Sequence, residues 1–411
     1  MQRMRISTHA LLYKMHDLLD AAGRARFYGQ IMTTQRIHLV EPSTNADGIE
    51  SIPTVIIGGG QAGLAMGYYL REAGEQFVIL DAERRIGDVW RHRWDSLKLF
   101  SFPKYSSLPG WPMQLSSFPT HNDMADYLEA YAQRFDLPVR SGVRATRVSR
   151  SGRGFRVQTS HGVLQCDRVV IATGGYNRPA VPPFANELAP GIRQLHSSAY
   201  QNPRQLEGTV LVVGAGNSGA EIALEAVRSG HQTWLSGRHP GQVPFRIETR
   251  RAKLLVPIVM FAFRRVLNLD TPLGRKFARQ AIEHGTPLVR TKQSDLEAAG
   301  VQRVGRIALV RDGLPITEDD QVLEPQTVVW CTGYRPDYSW IELPVADEDG
   351  HPITERGVSP EAGLYFIGVE FQYAAASSTI QGLDQDARYL MRAMAKQRAV
   401  RPVPVEEPAA A

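Results

Sequence analysis

Cysteine is scarce in this chain: Cys166 and Cys331 are the only two in 411 residues, and they stand far apart. With no CxxC pair and no His/Cys cluster, a thiol redox centre, a zinc site and a secreted disulfide framework are all disfavoured, and no metal is expected. Long apolar runs are missing as well. The longest, residues 254–263, is about half of what spans a bilayer, so no transmembrane segment is expected. No charged start with an apolar core and a small-residue cleavage site marks a secretory signal. A reducing cytoplasm is therefore the expected compartment. Charge of one sign is also lacking outside the first residues. Of the formal net charge of +5, +4 falls within residues 1–36, where Arg3, Arg5, Lys14, Arg24, Arg26 and Arg36 meet only Asp17 and Asp20. The near-neutral remainder gives no support to a nucleic-acid-binding face. The basic lead reads as a disordered arm, with Met32 as an alternative natural start, as a docking helix over 11–19, or as an organelle presequence. The last would need fewer acids and more serine.

What is present begins at Thr54. A β-branched run over 55–57 reads as a buried strand and enters Gly58, Gly60 and Gly63 at GxGxxG spacing, with an apolar helix over 64–70 behind them. Gly58 permits the tight turn, Gly60 lets a pyrophosphate approach the backbone, and Gly63 lets the helix pack on the strand. The helix N-terminus then faces the phosphates. A second strand over 77–80 ends in Asp81, at the distance of about twenty residues where a carboxylate binds a ribose hydroxyl. The pattern recurs. A strand over 210–213 feeds Gly214, Gly216 and Gly219, a helix follows over 220–227, and the next strand ends in Ser236-Gly237-Arg238. No acid occupies the ribose position of this second unit. A guanidinium there suits a 2′-phosphate, onto whose oxygens it forks. Two dinucleotides are implied, one of them bearing that phosphate.

Between and after these units lie segments with less specific chemistry. The stretch 87–99 holds two tryptophans and several arginines and runs into a Phe/Pro/Ser-rich loop to Met113. It suits either a surface against a planar ring or ordinary aromatic packing. Thr120 is placed to cap a helix over 122–134. Residues 245–300 are helix-prone and basic. An amphipathic basic helix can lie on a membrane surface, but Pro257 is expected to break it, which favours a buried lid or substrate-side helix pair. Two β runs end alike, in Thr173-Gly174-Gly175-Tyr176 and in Thr332-Gly333-Tyr334. A final strand over 363–368 and a helix over 380–396 lead to a loose Pro/Ala-rich tail.

Together these stretches resemble the class B flavoprotein monooxygenases, and within them the flavin-containing monooxygenases. The likeness covers roughly residues 52–396 and rests on GGGQAG, GDVWRHRW, IATG, HSSAY, GAGNSG, WCTGY and GLYFIG. It implies an α/β fold of two Rossmann-like dinucleotide-binding domains, FAD and NADPH, the second inserted in the first. The expected division is a flexible extension over 1–50, the FAD domain over 51–180 and 326–396, the NADPH domain with a helical insertion over 181–325, and a flexible tail over 397–411. By this likeness Gly58, Gly60, Gly63 and Asp81 hold FAD, with Trp90 and Gly368 near it, and Gly214, Gly216, Gly219, Ser236 and Arg238 hold NADPH. His196 and Tyr200 match the family fingerprint in its flavin-containing monooxygenase form, although the preceding Phe and Gly of that pattern are Pro190 and Ile192 here. A histidine that only fixes the interdomain hinge suits the same position. Where many members carry an asparagine beside the reactive flavin carbon, this chain has Phe100 or Ser101.

The resemblance implies that NADPH reduces the flavin and that O2 adds to give a peroxyflavin. One oxygen atom then passes to a small-molecule substrate, at soft nitrogen or sulfur in preference to a carbonyl carbon. Such chemistry asks the protein to orient cofactors and exclude water, which accords with the lack of a paired-carboxylate or Ser/His/Asp constellation. The missing asparagine motivates a rival: an NADPH-dependent flavin oxidase or reductase that releases H2O2 and oxygenates nothing. A redox-sensing protein that keeps the cofactor folds without turnover is a third reading.

Overall fold

A computed structural model describes residues 43–44, 49–176, 178–249, 252–284 and 286–400. The expected arm over 1–31, with its docking helix and Met32 start, lies outside the described residues, as does the tail from 401. The first unit opens with β1 (Thr54–Ile57), α1 (Gln61–Glu72) and β2 (Phe77–Asp81), followed by a short α2 (Asp88–Arg91) and α3 (His121–Arg134). Thr120 caps α3 in a reciprocal box with Asp123, which fixes where that helix starts. Strands β3 (Val139–Ser141), β4 (Ala145–Ser151), β5 (Gly154–Thr159), β6 (Gly162–Cys166) and β7 (Arg168–Ile171) complete this part. The second unit holds β8 (Arg193–His196), β9 (Val210–Val213), α4 (Asn217–Arg228) and β10 (Thr233–Ser236). Helices α5 (Ala252–Arg265), α6 (Pro272–His284) and α7 (Gln293–Ala299) come next, then β11 (Gln302–Val304), a hairpin of β12 (Ile307–Arg311) and β13 (Leu314–Thr317), and β14 (Thr327–Trp330). The chain closes with β15 (Leu364–Phe366) and α8 (Leu383–Val400).

Two all-parallel five-stranded sheets result. One has the order β15-β7-β1-β2-β3 and the other β8-β14-β9-β10-β11. Every strand of the second sheet therefore falls, in sequence, between β7 and β15 of the first. Alternation along each strand decides what covers the two faces. In β1, Ile56 packs with α1, α3 and α8, while Val55 and Ile57 face Val148, Phe155 and Val157 of the antiparallel strands. In β9, Val210 and Val212 pack with α4 and α7, while Leu211 and Val213 face the β12–β13 hairpin. Parallel sheets need both faces covered, and both units achieve this with helices on one side and antiparallel strands on the other.

Three boundaries differ from expectation. Ser43–Thr44 pairs antiparallel with Glu50–Ser51, and Glu50–Ser51 pairs in parallel with β6, so the residues just before Thr54 add to the β4–β5–β6 sheet instead of forming a loose lead. Helix α8 continues to Val400. Helix α5 runs through Pro257 unbroken.

The long segment between α2 and α3 is held from below by α3. The Tyr127 hydroxyl accepts from Leu108 N at 2.8 Å and donates to the Trp111 carbonyl at 2.6 Å, all buried. Tyr127→Phe strands a donor and an acceptor inside the core, at a cost of about 1–3 kcal/mol. A lower midpoint in thermal or urea unfolding at unchanged m-value is the expected result.

Candidate functional site

The N-terminus of α1 gathers most of the first residue set. Gly58 adopts φ +113°, open to glycine, and a Cβ there would lie 2.5 Å from the Ala172 carbonyl oxygen just after β7. A Cβ on Gly63 would meet the Gly58 carbonyl oxygen at 1.9 Å, whereas a Cβ on Gly60 meets nothing within 4 Å. Two glycines thus serve protein packing and the third borders open space. Helix α1 has no side-chain cap and no acid in its first turn, so its first N–H groups and dipole are left for an anion. Asp81 closes the same ring: its carboxylate lies against Gly59, and Oδ1 accepts from Glu83 N at 3.1 Å. Burial pushes the Asp81 carboxyl above the usual carboxylate range. Trp90 donates its indole N–H to Gln61, the first residue of α1, at 3.2 Å. A Cβ on Gly368 would lie 2.9 Å from Ala62 Cβ, so the turn after β15 packs on the same helix end.

The second unit repeats this geometry. Gly214 has φ +109° with a built Cβ 2.2 Å from the Cys331 carbonyl oxygen, Gly219 would clash with Gly214 O at 1.8 Å, and Gly216 again borders open space. Helix α4, like α1, lacks a side-chain cap and a first-turn acid. The two Thr-Gly motifs acquire a physical meaning here. Ala172 and Cys331, the small residues just before them, are the floors on which the glycine-rich turns rest.

Ser236 requires correction as a cofactor ligand. Its side chain is fully buried, donating to the Gly305 carbonyl at 2.8 Å and accepting from Ile307 N at 3.2 Å. That hydroxyl ties β10 to the turn between β11 and β12. Gly237 sits directly on the loop, its built Cβ 3.0 Å from Ala215 N, and Arg238 follows, exposed. Sequence reasoning missed Arg303. It lies beside Leu235 in the β10–β11 register and donates to the Gly237 carbonyl. Burial alone lowers its pKa, and among the described residues no carboxylate pairs with it. A basic residue on the strand neighbouring the Ser-Gly-Arg turn was the available signal.

The remaining candidates lie at the junction between units. His196 Nε2 donates to the Gly333 carbonyl at 3.0 Å and Nδ1 accepts from Ser198 N at 3.1 Å, which fixes a neutral tautomer. Burial holds its pKa below the usual histidine value. Its ring meets Tyr334 edge-on, and the Arg93 guanidinium lies 5.7 Å from the Tyr176 ring and 5.9 Å from the Tyr334 ring. Tyr200 is buried with its hydroxyl donating to Glu225 at 2.8 Å. Both fingerprint side chains are engaged by protein partners. Phe100 and Ser101 belong to another contact: Arg290 donates to the carbonyls of Lys98 and Leu99 at 2.8 and 2.7 Å and lies 5.5 Å from the Phe100 ring. Ser101 shares a hydrogen bond with Ser106 in its own turn.

Arg290 also stands 3.9 Å from Glu221 on α4, whose buried Oε1 accepts no hydrogen bond among the described residues. Burial raises the Glu221 carboxyl to about 7. The folded chain therefore holds a proton that the unfolded chain, with a carboxyl near 4.5, has released. Stability falls as pH rises between those values and levels off above them. Glu221→Gln removes this dependence, so its melting temperature relative to the parent is expected to climb from about pH 5 to about pH 8, by the order of 2–3 kcal/mol in stability.

Two uncapped helix N-termini behind glycine turns on parallel sheets are a geometry suited to anionic groups. Residues 55–268 match the pyridine nucleotide-disulphide oxidoreductase family. The chain belongs to it. An uncharacterized CzcO-like oxidoreductase of Geobacillus kaustophilus is 37% identical over 83% of this chain and 97% of its own length. A probable indole-3-pyruvate monooxygenase of Arabidopsis thaliana is 28% identical over 76% of this chain and 81% of that protein. Among solved structures, the flavin-containing monooxygenase from Stenotrophomonas maltophilia aligns at 29% identity and a TM-score of 0.67, covering 84% of this chain and 98% of that one. The chain is thus an oxidoreductase of α/β dinucleotide-binding fold that is similar to the class B flavin-containing monooxygenases.

Proposed function

We propose that this oxidoreductase is an FAD- and NADPH-dependent monooxygenase that inserts one atom of O2 into a small-molecule substrate, at soft nitrogen or sulfur. The observation that carries the reading is the pair of matched cradles, each open at its middle glycine and free of a competing cap. In this reading residues 51–180 and 326–396 form the FAD domain, and 181–325 form an NADPH domain inserted in it. FAD lies at the α1 cradle, with Asp81 accepting from ribose hydroxyls, Trp90 holding Gln61 in place, and Gly368 leaving room beside Ala62. NADPH lies at the α4 cradle, with Arg238 and Arg303 supplying charge for the 2′-phosphate. Bound there, the two cofactors supply hydride transfer and oxygen activation. The chain supplies position. His196, Tyr334 and Arg93 fix the hinge that sets one cradle against the other, and Arg290 holds the loop at Phe100 to the nucleotide unit.

A second reading, an NADPH oxidase that releases H2O2, is favoured by one observation. The loop at 100–101 offers no side-chain amide, and the Ser101 hydroxyl is engaged with Ser106. NADPH loss, peroxide and product mass, followed together across amines, sulfides, ketones and indole-3-pyruvate, separate the two. Oxygenation predicts peroxide leakage without substrate and a clear drop in leakage with a good acceptor. Ser101→Asn, which restores an amide to the loop, is expected to reduce the leakage several-fold. If peroxide accounts for all NADPH in both proteins whatever the acceptor, the oxidase reading stands.

A further inference from the structure

Helix α5 turns its apolar residues the wrong way for a buried lid. Leu254, Ile258 and Phe261 are 77, 66 and 62% exposed, and with Arg265 they recur at helical spacing along one stripe. Leu255 beside it and Leu269 and Leu273 beyond it are exposed as well. The opposite face is the one that packs. Val256 is buried, Phe263 meets Phe277 at 5.8 Å, and Phe277 meets Phe371 at 5.9 Å. Gln381 donates to the Met260 sulfur at 3.0 Å, and Leu269 N donates to the Tyr373 carbonyl at 2.9 Å. The helix pair is therefore seated on residues 371–381, just after Gly368, with its apolar stripe pointing away from the body.

We propose that this stripe docks the protein on an anionic lipid bilayer. Charge selects the occupant. Arg265 on α5 and Arg275, Lys276 and Arg279 on the next helix, α6, are exposed, and Asp270 is the exposed acid among the described side chains of 252–280. A second copy in an isologous contact would set this cationic rim against itself. Residues 1–36, at +4, carry the same sign. An anionic bilayer satisfies both features, taking apolar side chains into the acyl boundary while its headgroups meet the cations. No helix among the described residues is long and apolar enough to cross a membrane, so the contact is interfacial.

The test is flotation of the full-length, flavin-loaded protein with phosphatidylcholine vesicles, with and without phosphatidylglycerol. Binding is expected only with phosphatidylglycerol and should weaken as salt rises. Leu254→Glu/Ile258→Glu/Phe261→Glu is expected to lower the bound fraction by about tenfold or more, with flavin absorbance and melting temperature unchanged. Arg265→Glu/Lys276→Glu, which leaves the stripe intact, tests the electrostatic part and should weaken binding several-fold. The proposal is overturned if the parent does not float. It is also overturned if the triple variant floats like the parent, which would assign binding to the amino-terminal segment that both retain. A dimer in sedimentation that the triple variant dissolves, without vesicle binding, would assign the stripe to self-association and overturn it too.

Discussion

Gly60→Val is expected to purify folded but colourless. The substitution isolates the cofactor from the fold because a Cβ at position 60 meets no protein atom within 4 Å. Its methyl groups enter the space where a pyrophosphate approaches the α1 N-terminus. Gly63→Ala makes the contrast. There the Cβ meets Gly58 O at 1.9 Å, so the turn itself must move and stability should drop along with flavin. Gly216→Val carries the same logic to the second cradle. That protein should stay yellow and lose NADPH oxidation by roughly two decades or more in kcat/KM, the scale of several forfeited charge-assisted contacts. Absorbance in the flavin bands, circular dichroism and the NADPH rate together decide the outcome. A Gly60→Val protein with full flavin content would remove FAD from the first cradle.

The cradles were legible in sequence because glycine spacing is a backbone statement. The φ of Gly58, the close approach at Gly63 and the open space at Gly60 follow from three positions without long-range information. Helix α3 was legible for the same local reason, through Thr120. The role of Ser236 was not, since the partners of its hydroxyl, Gly305 and Ile307, come some seventy residues later and meet it only once β11 lies beside β10. Arg303 was hidden by the same sheet register. Helix α5 misled for a different reason. Its pattern is amphipathic, but periodicity cannot tell which face a neighbour will cover, and Pro257 bends expectation more than it bends this helix.

Cofactor choice offers the other large effect. Arg238→Ala is expected to lower kcat/KM for NADPH about 10- to 100-fold while leaving NADH within a few-fold, since one charge-assisted contact contributes about 1.5–3 kcal/mol. Arg303→Gln is the sharper probe. Glutamine keeps a donor for the Gly237 carbonyl but removes a guanidinium that is partly buried and that pairs with no carboxylate among the described residues. If that charge serves only to hold the turn, the two nicotinamide nucleotides should suffer alike. If it serves a 2′-phosphate, the loss should fall on NADPH and appear chiefly in KM, because the phosphate is remote from hydride transfer and binds equally in ground and transition states. The two arginines would share one phosphate, so the double variant should lose less than the two single losses combined. Equal decline with NADH and NADPH in both single variants would leave the chain without a 2′-phosphate site at this turn, and its nucleotide preference would have to arise elsewhere.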